Sequence, residues 1–247
     1  MTPLNKLHVL VQTLRGPQGC PWDQKQRVQD MTTPLLEECQ EVIEAIHDQD
    51  PLLLREELGD LLFVVLLTCD TAHKDFGISL DEICNDIHQK MVRRHPHVFS
   101  DQKENIPTWD ELKQKEKKRT SILDGIPKTL PALAYAQKQA KRVAKVGFDW
   151  PTAEDVFDKI YEEIRELKEA MLSKSQADIE HEFGDILMAC ANLGRKLNLS
   201  SEFALQKATR RFHHRFQWME QFHDGNLAEL STQKLESLWK KAKMHRK

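Results

Sequence analysis

An all-α fold, made of two tandem and diverged copies of one helical unit with no β-sheet core, is what the sequence predicts, and three observations predict it. Apolar residues recur at helical spacing in segment after segment, punctuated by Gly, Pro and Asp/Ser breakers. Only nine glycines and 7% aromatic residues argue against a β-sandwich or barrel. Finally, the pattern E-E-x-x-E followed by E-x-x-D occurs twice: Glu38, Glu41, Glu57 and Asp60 return as Glu163, Glu166, Glu182 and Asp185, each 125 residues later. Self-similarity at one fixed separation is the mark of a duplicated unit.

In chain order, Leu4 to Leu14 has helical spacing and ends at Arg15-Gly16-Pro17. Gly19-Cys20-Pro21-Trp22-Asp23 reads as a compact loop. A helix over 34–47 starts at Pro34, a favoured first helical position, and Asp48-Gln49-Asp50-Pro51 turns the chain into a second helix over 52–74. Gly77 ends it, and a third helix runs from Ser79 or Asp81 as N-cap to Arg94 before His95-Pro96. Residues 100–107 read as loop, and Trp109 to Arg119 as a short, charged helix. The stretch 123–131, with Gly125, Pro127 and Pro131, is the expected linker between domains 1–122 and 132–247. The order then repeats: helices over 131–145, 152–172, 177–197, 200–222 and 231–244, with Val146-Gly147-Phe148-Asp149-Trp150 paralleling the earlier Gly-Cys-Pro-Trp-Asp. Trp109-x-x-x-Lys113 likewise parallels Trp239-x-x-x-Lys243.

Charge and cysteine content narrow the function. A net charge of −3 supplies no basic field for nucleic acid. Five scattered cysteines without a C-x-x-C pair suit a reduced protein rather than a disulfide framework or zinc site. The opening MTPLNKLHVLVQTLRG lacks a signal-peptide pattern, and the longest apolar run, Leu61 to Leu67, is too short to span a bilayer. A cytoplasmic protein with no membrane partner is the expectation. His95-Pro96-His97 suits a helix exit better than a metal site, and the E-x-x-H matches Glu44/His47 and Glu220/His223 stand at non-equivalent places in the two copies. Lys113 to Arg119 reads as a solvated helix, and no Gly-rich phosphate loop or nucleophile elbow is present.

The acids are expected to meet. In each copy the midpoint between the two acid pairs falls in a turn, at Ser173-Lys174-Ser175 and at Asp48-Gln49-Asp50-Pro51, so both pairs lie equally far from a helical hairpin's bend. Around the first helix of the second copy, Ile160, Ile164, Leu167 and Met171 form an apolar stripe. Glu163 lies roughly 70° from its centre, Glu166 roughly 130° and Glu162 nearly opposite. On the next helix the stripe is Ile179, Phe183, Ile186, Cys190 and Leu197, and Glu182 and Asp185 lie about 80° and 140° to one side. Equal offsets on antiparallel helices either converge or diverge; converging, they make one cluster of hard oxygen donors suited to Mg²⁺ or Mn²⁺. Without a cation, four crowded carboxylates would raise one another's pKa values.

These motifs, with Arg93-Arg94-His95-Pro96-His97-Val98-Phe99 and the tandem arrangement, resemble the MazG nucleoside triphosphate pyrophosphohydrolases over essentially the whole chain. The resemblance implies Mg²⁺-dependent hydrolysis of NTP or dNTP to the monophosphate and pyrophosphate, Mn²⁺ as a substitute ion, and a homodimer of helical bundles. By motif position the metal ligands are Glu163, Glu166, Glu182 and Asp185, with Glu38, Glu41, Glu57 and Asp60 as a candidate second site. The nucleotide contacts map to Lys159, Glu162, Glu163, Asp185, Arg211, Arg215 and Trp239, with Lys159 and Glu162 as the catalytic candidates. Arg211 stands where the family usually has lysine, and His214 where arginine is common. Pro34 occupies the position matching Lys159, so the C-terminal copy is expected to do most of the catalysis. The rival expectation is a non-catalytic nucleotide-binding or dimeric scaffold protein with degenerate sites.

Overall fold

The computed structural model describes residues 1–99 and 120–245, and the described residues form helices and turns with no strand. The expected helix over 109–119, and with it the Trp109/Lys113 parallel, lies outside the described residues. Residues 1–99 belong to one compact unit and residues 120–245 to another.

In the first unit α1 (Pro3–Arg15) starts at a proline behind Thr2, whose side chain accepts from the Asn5 N–H. The Gly-Cys-Pro-Trp-Asp run, expected as a loop, carries a short helix, α2 (Pro21–Lys25), because Pro21 fixes the φ of its first position. After a 3₁₀ turn (Val28–Met31), α3 (Thr32–Asp48) and α4 (Pro51–Phe76) form a hairpin. Asp50 caps α4 by accepting from the N–H groups of Leu52 and Leu53, and Gly77, at φ 72°, ends it. Ser79 and Glu82 form a capping box that opens α5 (Leu80–Arg94), which settles the choice between Ser79 and Asp81. The short α6 (Pro96–Phe99) follows. Val11, Met31, Leu66 and Leu67 make the buried core here, with Leu7, Leu35, Phe63 and Leu80 packed around them. Arg15 locks the top of the unit: Nε lies 2.5 Å from Asp70 Oδ2, and its other nitrogens donate to the carbonyls of Asp23 and Gln26.

The second unit has α7 (Ala132–Val143), α8 (Ala153–Ser173), α9 (Gln176–Lys196), α10 (Ser201–Phe222) and α11 (Thr232–Met244). Thr152 with Asp155 boxes the start of α8, and Ser175, Ser200 and Ser231 cap the next three helices. The duplication is visible in the backbone. The first hairpin helices end at Asp48 and Ser173, the second begin at Pro51 and Gln176, and the left-handed turn residues are Gln49 (φ 55°) and Lys174 (φ 58°). All three pairs are 125 residues apart, so the two hairpins have one bend geometry. α7 packs across α9 and α10, and α10 pairs with α11.

Residue 122, the last of the expected first domain, and residues 123–126 of the expected linker dock on the second unit. Arg142 of α7 donates to the carbonyls of Ile122, Asp124 and Gly125, and Ile126 is buried. The buried apolar side chains of this unit are mostly small, with Ala140, Ala170, Ala189, Ala191 and Ala242 beside Val156 and Met219. Small residues fill less space, and a cavity remains where α7 crosses the α8–α9 hairpin.

Candidate metal and nucleotide site

The α8–α9 hairpin converges its acids. Oxygens of Glu163, Glu166 and Glu182 lie within 4.8 Å of one another, with Glu163 buried and the other two half-buried. Asp185, one turn beyond Glu182, does not join that group of three; its carboxylate lies 3.5 Å from His181 Nε2 and borders the adjoining cavity. Lys159, one turn before Glu163, places Nζ 2.6 Å from Glu163 Oε1 and 3.2 Å from Glu162 Oε1. Glu162 therefore stands outside the acid cluster but within reach of the same ammonium.

The electrostatics follow from this crowding. Desolvation, reinforced by Glu163, raises the Glu166 pKa, and Glu162 and Glu182 act the same way against the opposing charge of Lys159. The hydrogen bond to Glu163 drives the Lys159 pKa up despite its desolvation, so this lysine stays charged throughout the neutral range.

The first unit repeats the geometry without the cation. Oxygens of Glu38, Glu41 and Glu57 approach within 4.8 Å. Desolvation and the neighbouring acids Glu41 and Asp60 raise the pKa of Glu38, and desolvation together with Glu41 does so at Glu57. Pro34 stands where Lys159 would be, and Glu38 Oε2 is buried with no hydrogen-bond partner among the described residues. The all-oxygen donor sets fit a hard divalent cation in either hairpin, and in the first the orphaned Glu38 oxygen adds to that fit.

Beside the second cluster a cavity of about 260 Å³ reaches in between α7, α8 and α9. Lys159, Glu163 and Asp185 are among its polar lining residues; Phe148, Trp150 and Met188 are among its apolar walls. The buried amide of Asn192 also lines it. Asn192 went unnoticed in the sequence; a lone amide inside the apolar run Ile186 to Leu193 was the available signal. Arg211 and Arg215 border a different cavity, between α10 and α11, with His214, Trp218 and Lys243. Trp239 packs 5.2 Å from the Phe212 ring and carries Arg215 and Lys243 each 5.9 Å from its centroid, so its surface is already engaged.

The acid pattern on two matched hairpins also has a family. The model of the MazG nucleotide pyrophosphohydrolase domain matches residues 26–99 and again 152–219. The chain belongs to the MazG family. A relative in Thermotoga maritima, named nucleoside triphosphate pyrophosphohydrolase/pyrophosphatase MazG, is 40% identical over 95% of this chain and 93% of its own. The nucleoside triphosphate pyrophosphohydrolase of Escherichia coli K12 is also 40% identical, over 98% of both chains. The crystal structure of a MazG-related protein from Thermotoga maritima aligns with 46% of this MazG chain and 99% of its own, at 32% identity and a TM-score of 0.39. Both MazG matches in this chain contain a complete acid set, and the second also contains Lys159.

Proposed function

We propose that this MazG protein is a nucleoside triphosphate pyrophosphohydrolase that converts NTP or dNTP and water to the monophosphate and pyrophosphate, with Mg²⁺ as its ion and Mn²⁺ as a substitute. One observation carries the reading: the second hairpin joins a carboxylate cluster, a fixed lysine and an apolar cavity at one place. The relatives' names agree with it.

Glu163, Glu166 and Glu182 would hold the ion, with Asp185 at the cavity's edge reaching it through a side-chain rotation. When bound, the ion neutralises triphosphate charge and acidifies a water. Lys159, kept charged by Glu163, offers a phosphate its ammonium. Glu162, 3.2 Å from that ammonium and partly exposed, is placed to orient the attacking water and take its proton. Arg211 and Arg215 supply further cations from α10, and Trp239 backs Arg215 by cation–π contact.

A homodimer accords with the apolar side chains this unit leaves uncovered on the hairpin, Tyr161 at 66%, Phe183 at 54% and Met188 at 51% exposure. Among the described residues no helix is long and apolar enough to cross a membrane, and a cytoplasmic site of action completes the proposal. Product analysis with Mg²⁺ across the common NTPs and dNTPs tests it: monophosphate plus pyrophosphate is expected, and diphosphate plus orthophosphate would contradict the bond assigned. Nucleotide binding without turnover would favour the scaffold alternative.

A further inference from the structure

Asn192 is buried, 4% exposed, in the wall of the cavity that opens on the acid cluster. Its amide is held rather than free. Arg195 Nε donates to Asn192 Oδ1 at 2.7 Å, and Arg195 Nη2 in turn donates to Asp149 Oδ1. Asp149 is fixed by Lys196, whose Nζ lies 2.8 Å from Oδ2 and also donates to the Trp150 carbonyl. An arginine has no acceptor to offer, so the Asn192 oxygen must face it and the NH₂ must point the other way. That NH₂ donates to no acceptor among the described residues and borders the cavity. Opening on the cavity rather than sealed in the core, the NH₂ can be met by water and is available to a ligand that brings an acceptor.

The first unit supplies a built-in comparison. Asn192 corresponds at the 125-residue separation to Leu67, which is packed in the core against Val11, Met31 and Leu66. Where one copy closes the space with leucine, the other keeps a cavity with a clamped amide.

We propose that this cavity seats the nucleobase, and that Asn192 Nδ2 donates to a ring carbonyl, the C6 oxygen of a purine or the C4 oxygen of a pyrimidine. The inference rests on the pyrophosphohydrolase reading and adds to it a specificity-determining residue. The walls suit a flat heterocycle: Phe148, Trp150, Val143 and Met188 are apolar, while Lys159 and Glu163 mark the end where phosphate would lie. About 260 Å³ is room for a purine, so size alone does not select the base, and the edge hydrogen bond is left to do so. Arg195 acts as a positioning residue, since it fixes which face of the amide the base meets.

The test compares wild type, Asn192→Asp and Asn192→Leu on GTP, ATP, UTP and CTP with Mg²⁺, alongside calorimetric binding of GMP and AMP. Aspartate keeps the contact with Arg195 but turns the buried donor into an acceptor. The kcat/KM ratios GTP:ATP and UTP:CTP should therefore move toward the amino bases by about tenfold or more, and the GMP:AMP affinity ratio should move in the same direction. Asn192→Leu should level the four bases. Base ratios unchanged in both folded variants would overturn the inference. A wild type that releases no pyrophosphate would instead defeat the pyrophosphohydrolase reading, and the monophosphate affinities would still decide where the base sits.

Discussion

Replacing Lys159 with methionine removes a cation from a carboxylate that has little water to replace it. The Glu163 side chain is 6% exposed and the Lys159 side chain 33%, with 2.6 Å between Nζ and Oε1. Breaking a fully buried ion pair costs about 3–5 kcal/mol, and an exposed pair about 0–1 kcal/mol. A pair with one member a third exposed lies between them, and the more exposed arm to Glu162 adds little, so the estimate is about 2 kcal/mol. For a unit of this size that lowers Tm by roughly 6–10 °C when divalent ions are chelated. Methionine preserves the apolar stem, so the loss reports the charge rather than a cavity. Adding Mg²⁺ should then stabilise the variant more than the wild type, because the ion compensates acids that Lys159 otherwise partly neutralises. Scanning calorimetry of the full chain, with chelator and with Mg²⁺, reads both effects. A variant Tm in chelator within about 1 °C of wild type, or a smaller Mg²⁺ increment in the variant, would show that the Lys159 charge does not stabilise the buried Glu163 carboxylate.

The two acid clusters should differ in use: Glu166→Gln is expected to lower kcat/KM about hundredfold and Glu41→Gln about threefold or less, and equal losses in steady-state assays would place catalysis in both units. At Asp149, burial raises the pKa but the hydrogen bonds from Lys196 and Arg195 outweigh it and hold it below the usual 3.8. The native state therefore binds this proton more weakly than the unfolded chain, so its contribution is complete above pH 3.8 and fades as pH falls through the lower native value. Asp149→Asn should flatten that acid limb in urea titrations; an unchanged limb would remove Asp149 as its source. Gly59 lies within α4 with nothing inside 4 Å of where a Cβ would stand, so Gly59→Ala should stabilise the first unit by about 0.5–1 kcal/mol in thermal melts. A loss instead would show that something packs on that face.

Helix ends were the most legible part of the sequence because caps are local chemistry. Ser79-x-x-Glu82, Thr152-x-x-Asp155 and the Asp50 cap each announce a start whatever the tertiary context. The hairpin was legible too, since equal distances from a turn fix which residues lie side by side. Azimuth alone carried less. It leaves convergence and divergence both open; in the structure Glu163, Glu166 and Glu182 converge, whereas Asp185, on the same side as Glu182 but farther from the apolar stripe, lies near His181 and lines the cavity. Of the two apolar stripes, Met171, Phe183 and Leu197 are 59%, 54% and 48% exposed. Periodicity says that a face is apolar and is silent on what covers it. The contacts of Trp239 were hidden for a different reason: they depend on α10 lying against α11, which no local pattern specifies.

The two copies kept their acids and changed what surrounds them, and the changes point one way. At matched positions Lys159 faces Pro34, Asn192 faces Leu67 and Arg195 faces Asp70. Each residue of the second copy serves the cluster or its cavity: Lys159 pairs with Glu163, Asn192 lines the wall and Arg195 clamps Asn192. In the first copy, Leu67 belongs to the core and Asp70 binds Arg15, which ties α1 to α4. Burying a leucine contributes about 1.5–3 kcal/mol, whereas a clamped amide with a free donor contributes nothing until a ligand arrives. Closing the cavity thus favours folding, and keeping it open makes sense only where a ligand is bound. The first hairpin keeps its clustered carboxylates and an unpartnered Glu38 oxygen, but among the described residues it has proline in place of the lysine and leucine in place of the amide. Both hairpins carry a cluster of three carboxylates, and the second hairpin alone adds Lys159 and Asn192 beside it.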